Sequence, residues 1–335
     1  MADTSNLDDT VPPAHLQCEA GVGSPQTSLS EDERSPSAHD DSHYEWLKDE
    51  ERARVIADVW RLYNDGVPLF TAAQLRHLDQ QIARRLKTVT VTGIDGVEYA
   101  QNGTFLPRAS QEEKGAMWDP PFISFSSIEA LVSRPPEWPY SRSVAYCPLH
   151  ISHRRSDDQE LNSVEETSEA FIKYKQEWES SEPCRILKHT LASGPLPKSI
   201  TKIVCFGLGP LTPLNDRSQR VHTQHAAALT MAHAIKERTG CTVQIYSQEP
   251  AYTRICEQVL GPHDITILTG VQGFLEVDNS TVVFSVAPNV PVKQIVVDLA
   301  RPAIMVWDNV ESVEEERRVW TKRPSRPGFG ESWLR

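Results

Sequence analysis

Between Thr201 and Trp307, short β-branched apolar runs alternate with longer stretches whose apolar residues recur every three or four positions. The runs are Lys202–Phe206, Thr242–Tyr246, Ile265–Leu268, Thr281–Val286 and Ala303–Trp307. Helical patterns fill the gaps: Arg220–Arg238, a short stretch after Tyr252 that ends at Leu260, and Pro291–Arg301. Gly240 and Gly261-Pro262 have the chemistry of helix stops. Strands that alternate with helices predict a mostly parallel sheet covered on both faces. The fold class expected is therefore α/β, a Rossmann-like three-layer domain over residues 184–310.

The pattern changes upstream. Val55, Ile56, Val59, Trp60 and Tyr63 recur with helical spacing until Asn64-Asp65-Gly66. A second helix is predicted from Thr71, with Thr71 and Gln74 as a capping box and Leu75, Leu78, Ile82 and Leu86 along one face. Val89–Thr92, Gly93-Ile-Asp-Gly96 and Val97–Tyr99 predict a small hairpin. Residues 44–100 thus read as a helical segment that packs on the α/β domain, because two helices and a hairpin cannot close a large core alone. Residues 101–183 read as a proline-rich insertion, with Pro120-Pro121, Pro135-Pro136 and Pro139, followed by a charged helix from Ser163 to about Ser181 that Pro183 ends. Cys184–Leu191 reads as a further short helix.

Charge separates the ends from the middle. The 335-residue chain carries a net charge of −12. Residues 1–43 hold nine acidic residues against the single basic Arg34, and no aromatic residue. Such a segment buries too little apolar surface to offset its ordering entropy, so it is expected to be disordered. Ser24-Pro25, Ser35-Pro36 and Ser30-Glu-Asp-Glu33 have the form of kinase sites, which solvated tails also produce by chance. Residues 311–335 form a second charged tail. From Thr201 to Val310 nine acidic residues meet eight basic ones. That balance speaks against a nucleic-acid surface, which needs clustered Lys and Arg. The start of the chain lacks an apolar signal core, and no run approaches the roughly 18 apolar residues of a membrane span. The expected location is the cytoplasm, the nucleus or both, without secretion and without membrane insertion. The six cysteines form no Cys-x-x-Cys pair, which leaves no zinc ribbon or thioredoxin motif.

Chemistry gathers after the first strand. Gly207-Leu-Gly209 is half of a dinucleotide fingerprint: the glycines permit a tight turn and close backbone approach. Position 212 is Thr where the third glycine would stand, and the loop holds Pro210, Pro213, Asn215 and Asp216. A standard fingerprint places its ribose-holding acid about 20 residues on, whereas Glu249 comes forty positions after Gly209. Glu249 and Tyr252 follow strand two. There they suit a ligand hydroxyl and a stacking or donating ring; equally, Pro250 would start a helix whose positive end Glu249 favours. His222 and His225, three apart on one helix, suit either a metal or simple packing. Cys147-Pro148 with His150 has the form of a thiolate haem signature, in a dipeptide common by chance. No catalytic residue and no metal ligand set is assigned.

The run from Lys202 to Trp307 resembles the sensitivity-to-red-light-reduced family. The matching pieces are Ile203–Gly209, Gln224 with Ala226, Gln248–Thr253, Gly273 ahead of Val277-Asp278, Thr281–Pro288 and Pro291–Leu299. The helical approach from Tyr44 is similar to fungal members. Where the family carries Asp-Pro, this chain has Glu249-Pro250, which keeps the charge and lengthens the reach. The resemblance implies a regulatory role, since plant members act in light signalling and circadian timing and animal relatives are linked to haem metabolism and rhythm. It brings no catalytic residues. The candidate ligand-binding residues are then Gly207, Leu208, Gly209, Gln224, Glu249, Tyr252 and Pro288, for a small ligand or a protein partner, with no cofactor specified. The alternatives are an enzyme that uses a nucleotide or S-adenosylmethionine at the Gly207/Gly209 loop, and a haem-responsive regulator.

Overall fold

Five parallel strands form the predicted sheet: β5 (Lys202–Phe206), β6 (Gln244–Gln248), β7 (Ile265–Leu268), β8 (Thr281–Ser285) and β9 (Ile304–Val306), in the spatial order β7-β6-β5-β8-β9. The protein is therefore a mixed α/β chain. This is a computed structural model that describes residues 47–103, 121–133, 140–152, 161–197, 199–286 and 288–307. The acidic segment 1–43, Trp118, Trp138, Pro135-Pro136 and the tail 311–335 lie outside the described residues. All described residues fall within one compact unit, Glu45–Arg335.

Strand register sorts the core. Phe206 pairs with Ser285 and Cys205 with Phe284, so alternate residues face opposite sides. Ile203, Cys205, Val282 and Phe284 enter one apolar cluster with α7 (Ser218–Thr239) and α8 (Arg254–Leu260). Phe171 and Leu191, from α5 (Val164–Glu179) and α6 (Glu182–Ser193), complete it. Val204, Phe206 and Val283 enter the other cluster, with α9 (Gln272–Glu276) and α10 (Val292–Leu299). A sheet buried on both faces reads as continuous β-branched runs, which is why these strands were legible.

The second cluster extends into the N-terminal part. It takes in Val55 and Val59 of α1 (Asp49–Asn64), Leu75 and Leu78 of α2 (Ala72–Ala83), and Val89 and Val91 of β1 (Thr88–Thr92). An aromatic chain runs the same way. Phe206 stacks on Phe274 at 4.6 Å, Phe274 meets Phe125 at 5.3 Å, and Phe125 meets Phe70 at 5.9 Å. Polar contacts fix the register of this layer. Asp298 Oδ2 accepts the backbone amides of Leu69 (2.8 Å) and Phe70 (3.0 Å), just ahead of α2. Gln294, one turn earlier on α10, accepts the amide of Ile128 at 3.0 Å, at the start of α3 (Ile128–Val132). Buried Gln81 pairs both ways with the Thr90 backbone, so α2 acts as an extra partner for β1.

The capping box of Thr71 and Gln74 forms as expected. A second box, Ser163 with Glu166, opens α5. The hairpin closes between β1 and β2 (Glu98–Asn102) through Gly93–Gly96. Within 101–183 the described residues hold a second antiparallel pair, β3 (Phe122–Phe125) with β4 (Leu149–Ser152), and α4 (Arg142–Tyr146) beside α3. Gln101 of β2 bonds the Leu149 carbonyl and the Ile151 amide of β4, both at 3.0 Å, and so ties the two small sheets together.

Four expectations are corrected. The helix from Thr71 stops at Ala83, which leaves Leu86 outside it and 40% exposed. Pro183 does not end α5; it sits in the first turn of α6, where a missing N–H costs nothing, behind the Ser181 cap. Strand β6 starts two residues later than predicted, because residues 241–243 carry the chain out of the left-handed cap at Gly240. Pro250 does not open a helix: α8 begins at Arg254 behind the Thr253 cap. The five-residue α9 was too short to show a period.

Candidate functional site

The strand order reverses between β5 and β8. The chain leaves β5 through α7 on one face of the sheet and leaves β8 through α10 on the other. Loops that diverge in this way open the carboxyl end of the sheet, where open α/β proteins hold ligands. The structure brings the loops after β5, β6 and β8 together here, and with them every predicted site residue.

Gly207 adopts φ +71° and Gly209 φ +79°, the left-handed region in which a side chain is strained. What crowds these glycines is the protein itself. A Cβ on Gly207 would lie 2.9 Å from Pro288 Cα, and one on Gly209 would lie 3.0 Å from Val221 Cγ2 of α7. Pro288 is thus the wall against which Gly207 is packed. Glu249 lies forty residues beyond Gly209 in sequence, yet its Oε2 accepts the Gly209 amide at 3.2 Å while Oε1 accepts the Ala251 amide at 3.1 Å. The length of α7 explains the unusual spacing. With the Gln224 amide turned so that its nitrogen faces the loop, it donates to the Leu208 carbonyl at 2.8 Å and accepts from Arg220 Nε at 3.2 Å. Leu208 itself is buried. Gln248, which closes β6, accepts the Gly273 amide at 2.7 Å. Pro288, Glu249 and Gln224 thus brace the glycine loop from three sides.

Tyr252 is half-buried, and its hydroxyl is engaged inside the protein. Its hydroxyl lies 2.6 Å from His225 Nε2 and 2.7 Å from Ser247 Oγ. His225 Nδ1 sits 2.8 Å from the Val221 carbonyl, which only accepts, so Nδ1 carries the proton. Nε2 then accepts from the Tyr252 hydroxyl, which in turn accepts from Ser247. Burial lowers His225 to about 4 from its ordinary 6.5 and raises Tyr252, so both rings are neutral. The sign follows: with a depressed folded pKa, the stability this chain contributes is complete above pH 6.5 and is lost as pH falls towards 4. Tyr252→Phe removes only the hydroxyl and strands its two partners. Urea unfolding should show a loss of about 2 kcal/mol, part of which the double variant with Ser247→Ala recovers.

The histidine pair behaves as packing. His222 Nε2 donates to the Leu211 carbonyl at 3.0 Å, and its ring meets Phe171 and Tyr174 edge-on. No group of three or more His, Cys, Asp or Glu among the described residues could hold a metal ion. Cys147, the centre of the haem signature, is fully buried, and burial pushes its thiol up to about 12. Sequence reasoning missed Ser247, Gln248 and Ser285. Ser285 is 2% exposed, and its hydroxyl has no hydrogen-bond partner among the described residues. No short-range pattern marks a residue whose role depends on a strand brought alongside.

Residues 186–329 match the family model of the SRR1 domain, which supports an SRR1-like domain in that part of the chain. Searches of the curated proteins and of the solved structures gave no match. Among the described residues no helix is long and apolar enough to cross a membrane.

Proposed function

We propose that this is a non-catalytic regulatory protein whose Rossmann-like domain binds a small ligand or a partner at the carboxyl ends of β5, β6 and β8. The observation that carries this reading is the bracing of the glycine loop. Glu249, Gln224, Gln248, Tyr252 and His225 all hold backbone or one another, an arrangement suited to a rigid binding platform rather than to proton transfer on a substrate. The SRR1 domain match agrees with a signalling role. In this reading the chain works in the cytoplasm or nucleus, and phosphorylation of the acidic segment 1–43 tunes it.

The competing reading is a nucleotide- or S-adenosylmethionine-dependent enzyme. It draws on the place of Glu249 at the end of the second strand, where dinucleotide-binding folds keep a ribose-holding acid. The experiment is thermal unfolding of the full chain with NAD, NADP, S-adenosylmethionine, ATP or haem. Any stabilising ligand is then incubated with the protein and followed by mass spectrometry. A ligand at a hundred times its Kd adds about 2.7 kcal/mol. Stabilisation with the ligand recovered unchanged is the expected result. Steady conversion would overturn the regulatory reading in favour of the enzyme.

A further inference from the structure

We propose that the first turn of α10, with Ser285 of β8 beside it, seats a phosphate group, free or carried by a small molecule. This seat deepens the reading that the carboxyl end of the sheet binds a small ligand, and rests on it. β9 runs parallel to β8, so α10 between them returns along the sheet and starts at its carboxyl end. Pro291 occupies the N-cap position, where it offers no side-chain acceptor, and the first turn holds no acidic residue. The Val292 amide turns back to the Val290 carbonyl at 2.8 Å, and the Ile295 amide reaches the Pro291 carbonyl at 3.0 Å. The amides of Lys293 and Gln294, between them, meet no acceptor among the described residues. Glu129 accepts from the side-chain nitrogen of Gln294 at 3.1 Å and bonds neither of these amides. Open amides at the positive end of a helix attract an anion.

The sheet supplies an independent sign. Ser285 is 2% exposed, and its hydroxyl has no partner among the described residues. A buried hydroxyl without a partner is costly. Its direction follows from strand alternation. Val283, two residues earlier, packs in one cluster with Val292, Ile295 and Val296 of α10. Ser285 faces the same side, at the end where α10 begins. A third contact fixes the place. One step past the last pair of β8 with β9, Phe284 with Val306, stand Ser285 and Trp307. Lys293 Nζ lies 5.1 Å from the centre of the Trp307 ring, which ties the first turn of α10 to that strand end. Two amides, an ammonium and a hydroxyl thus gather at the end of β8, from the helix axis, a helix side chain and the sheet. That spread suits a tetrahedral anion better than a flat carboxylate. Exposed Lys293 and half-buried Trp307 are the side chains that give way when the anion reaches the buried hydroxyl.

The test is calorimetric titration of the full chain at constant ionic strength, with inorganic phosphate, ribose 5-phosphate and acetate as probes. Phosphate or its ester should bind, and acetate about tenfold more weakly or not at all. Tighter binding of the ester would mark a phosphorylated small molecule as the occupant, and tighter binding of the free ion would mark inorganic phosphate. Ser285→Ala should weaken phosphate about tenfold, as the loss of one hydrogen bond to a charged group dictates. The same variant should hold or raise the melting temperature without phosphate. Lys293→Ala should weaken phosphate by a similar factor. Pro291→Asp places a capping carboxylate on the open amides, so it should raise the melting temperature without phosphate and abolish binding. A merely structural role for these residues would not separate stability from affinity in this way. No binding of phosphate or its ester would overturn the seat. Acetate that binds as tightly would overturn it too, as would an affinity that Ser285→Ala and Pro291→Asp both leave unchanged. A phosphate-free member of the ligand panel above that stabilises the chain would then keep the binding reading while this seat falls.

Discussion

Gly207→Ala should destabilise the protein by about 3 kcal/mol or more. Two costs add. The left-handed backbone at φ +71° disfavours any Cβ by roughly 1–2 kcal/mol. The new Cβ would also lie 2.9 Å from the Cα of Pro288, a backbone atom that cannot swing aside as a side-chain tip can. Forcing such an overlap in a packed region costs about 1–3 kcal/mol. Gly240→Ala separates the two. Its φ is +76°, but nothing lies within 4 Å of the added Cβ, so it should cost only about 1 kcal/mol. Urea denaturation of both variants reads the difference directly. Equal losses would mean that the loop after β8 yields to the methyl group, and that Pro288 is not a rigid wall.

That pairing of Gly207 with Pro288 marks how far the sequence could be read. Gly207-Leu-Gly209 was visible because a β-branched run and a conformational requirement coincide within a few residues. Thr71 with Gln74 was visible for the same reason, as the capping box is local. Contacts across the sheet were not visible. Glu249 looked too distant from Gly209 for a ribose acid, yet the 22-residue α7 returns the chain to the neighbouring strand. The place of the candidate residues in the fold was therefore legible, whereas the contacts among them were not. Tyr252 shows the opposite error. A tyrosine after a strand reads as an available ring, and only the position of His225 on α7 reveals that its hydroxyl is used internally. The small sheet of β3 and β4 escaped notice because its strands stand more than twenty residues apart and are only four residues long each. Short pieces carry little periodicity, and their partners are fixed by packing.

The contact between Asp298 and the segment ahead of α2 should matter nearly as much as Gly207, and its chemistry can be separated from its charge. Asp298→Ala leaves the amides of Leu69 and Phe70 without an acceptor, at about 1–3 kcal/mol each, so a total near 3 kcal/mol is expected. The effect should be concentrated where those amides lie. Hydrogen exchange should quicken at Leu69, Phe70 and Leu75, while β5 and β8 keep their protection. Asp298→Asn should behave very differently. Both bonds reach one oxygen, Oδ2, so an amide oxygen can accept them both. Burial raises the Asp298 pKa, the two amides oppose this only in part, and the carboxylate is thus the less favoured form in the fold. The wild type is then most stable relative to the Asn variant below the ordinary carboxyl pKa of 3.8, and loses that margin as pH rises through the raised value. At neutral pH the Asn variant should match the wild type within about 1 kcal/mol. An Asn variant as unstable as the Ala variant would show that the negative charge, not the acceptor geometry, holds the N-terminal layer to α10.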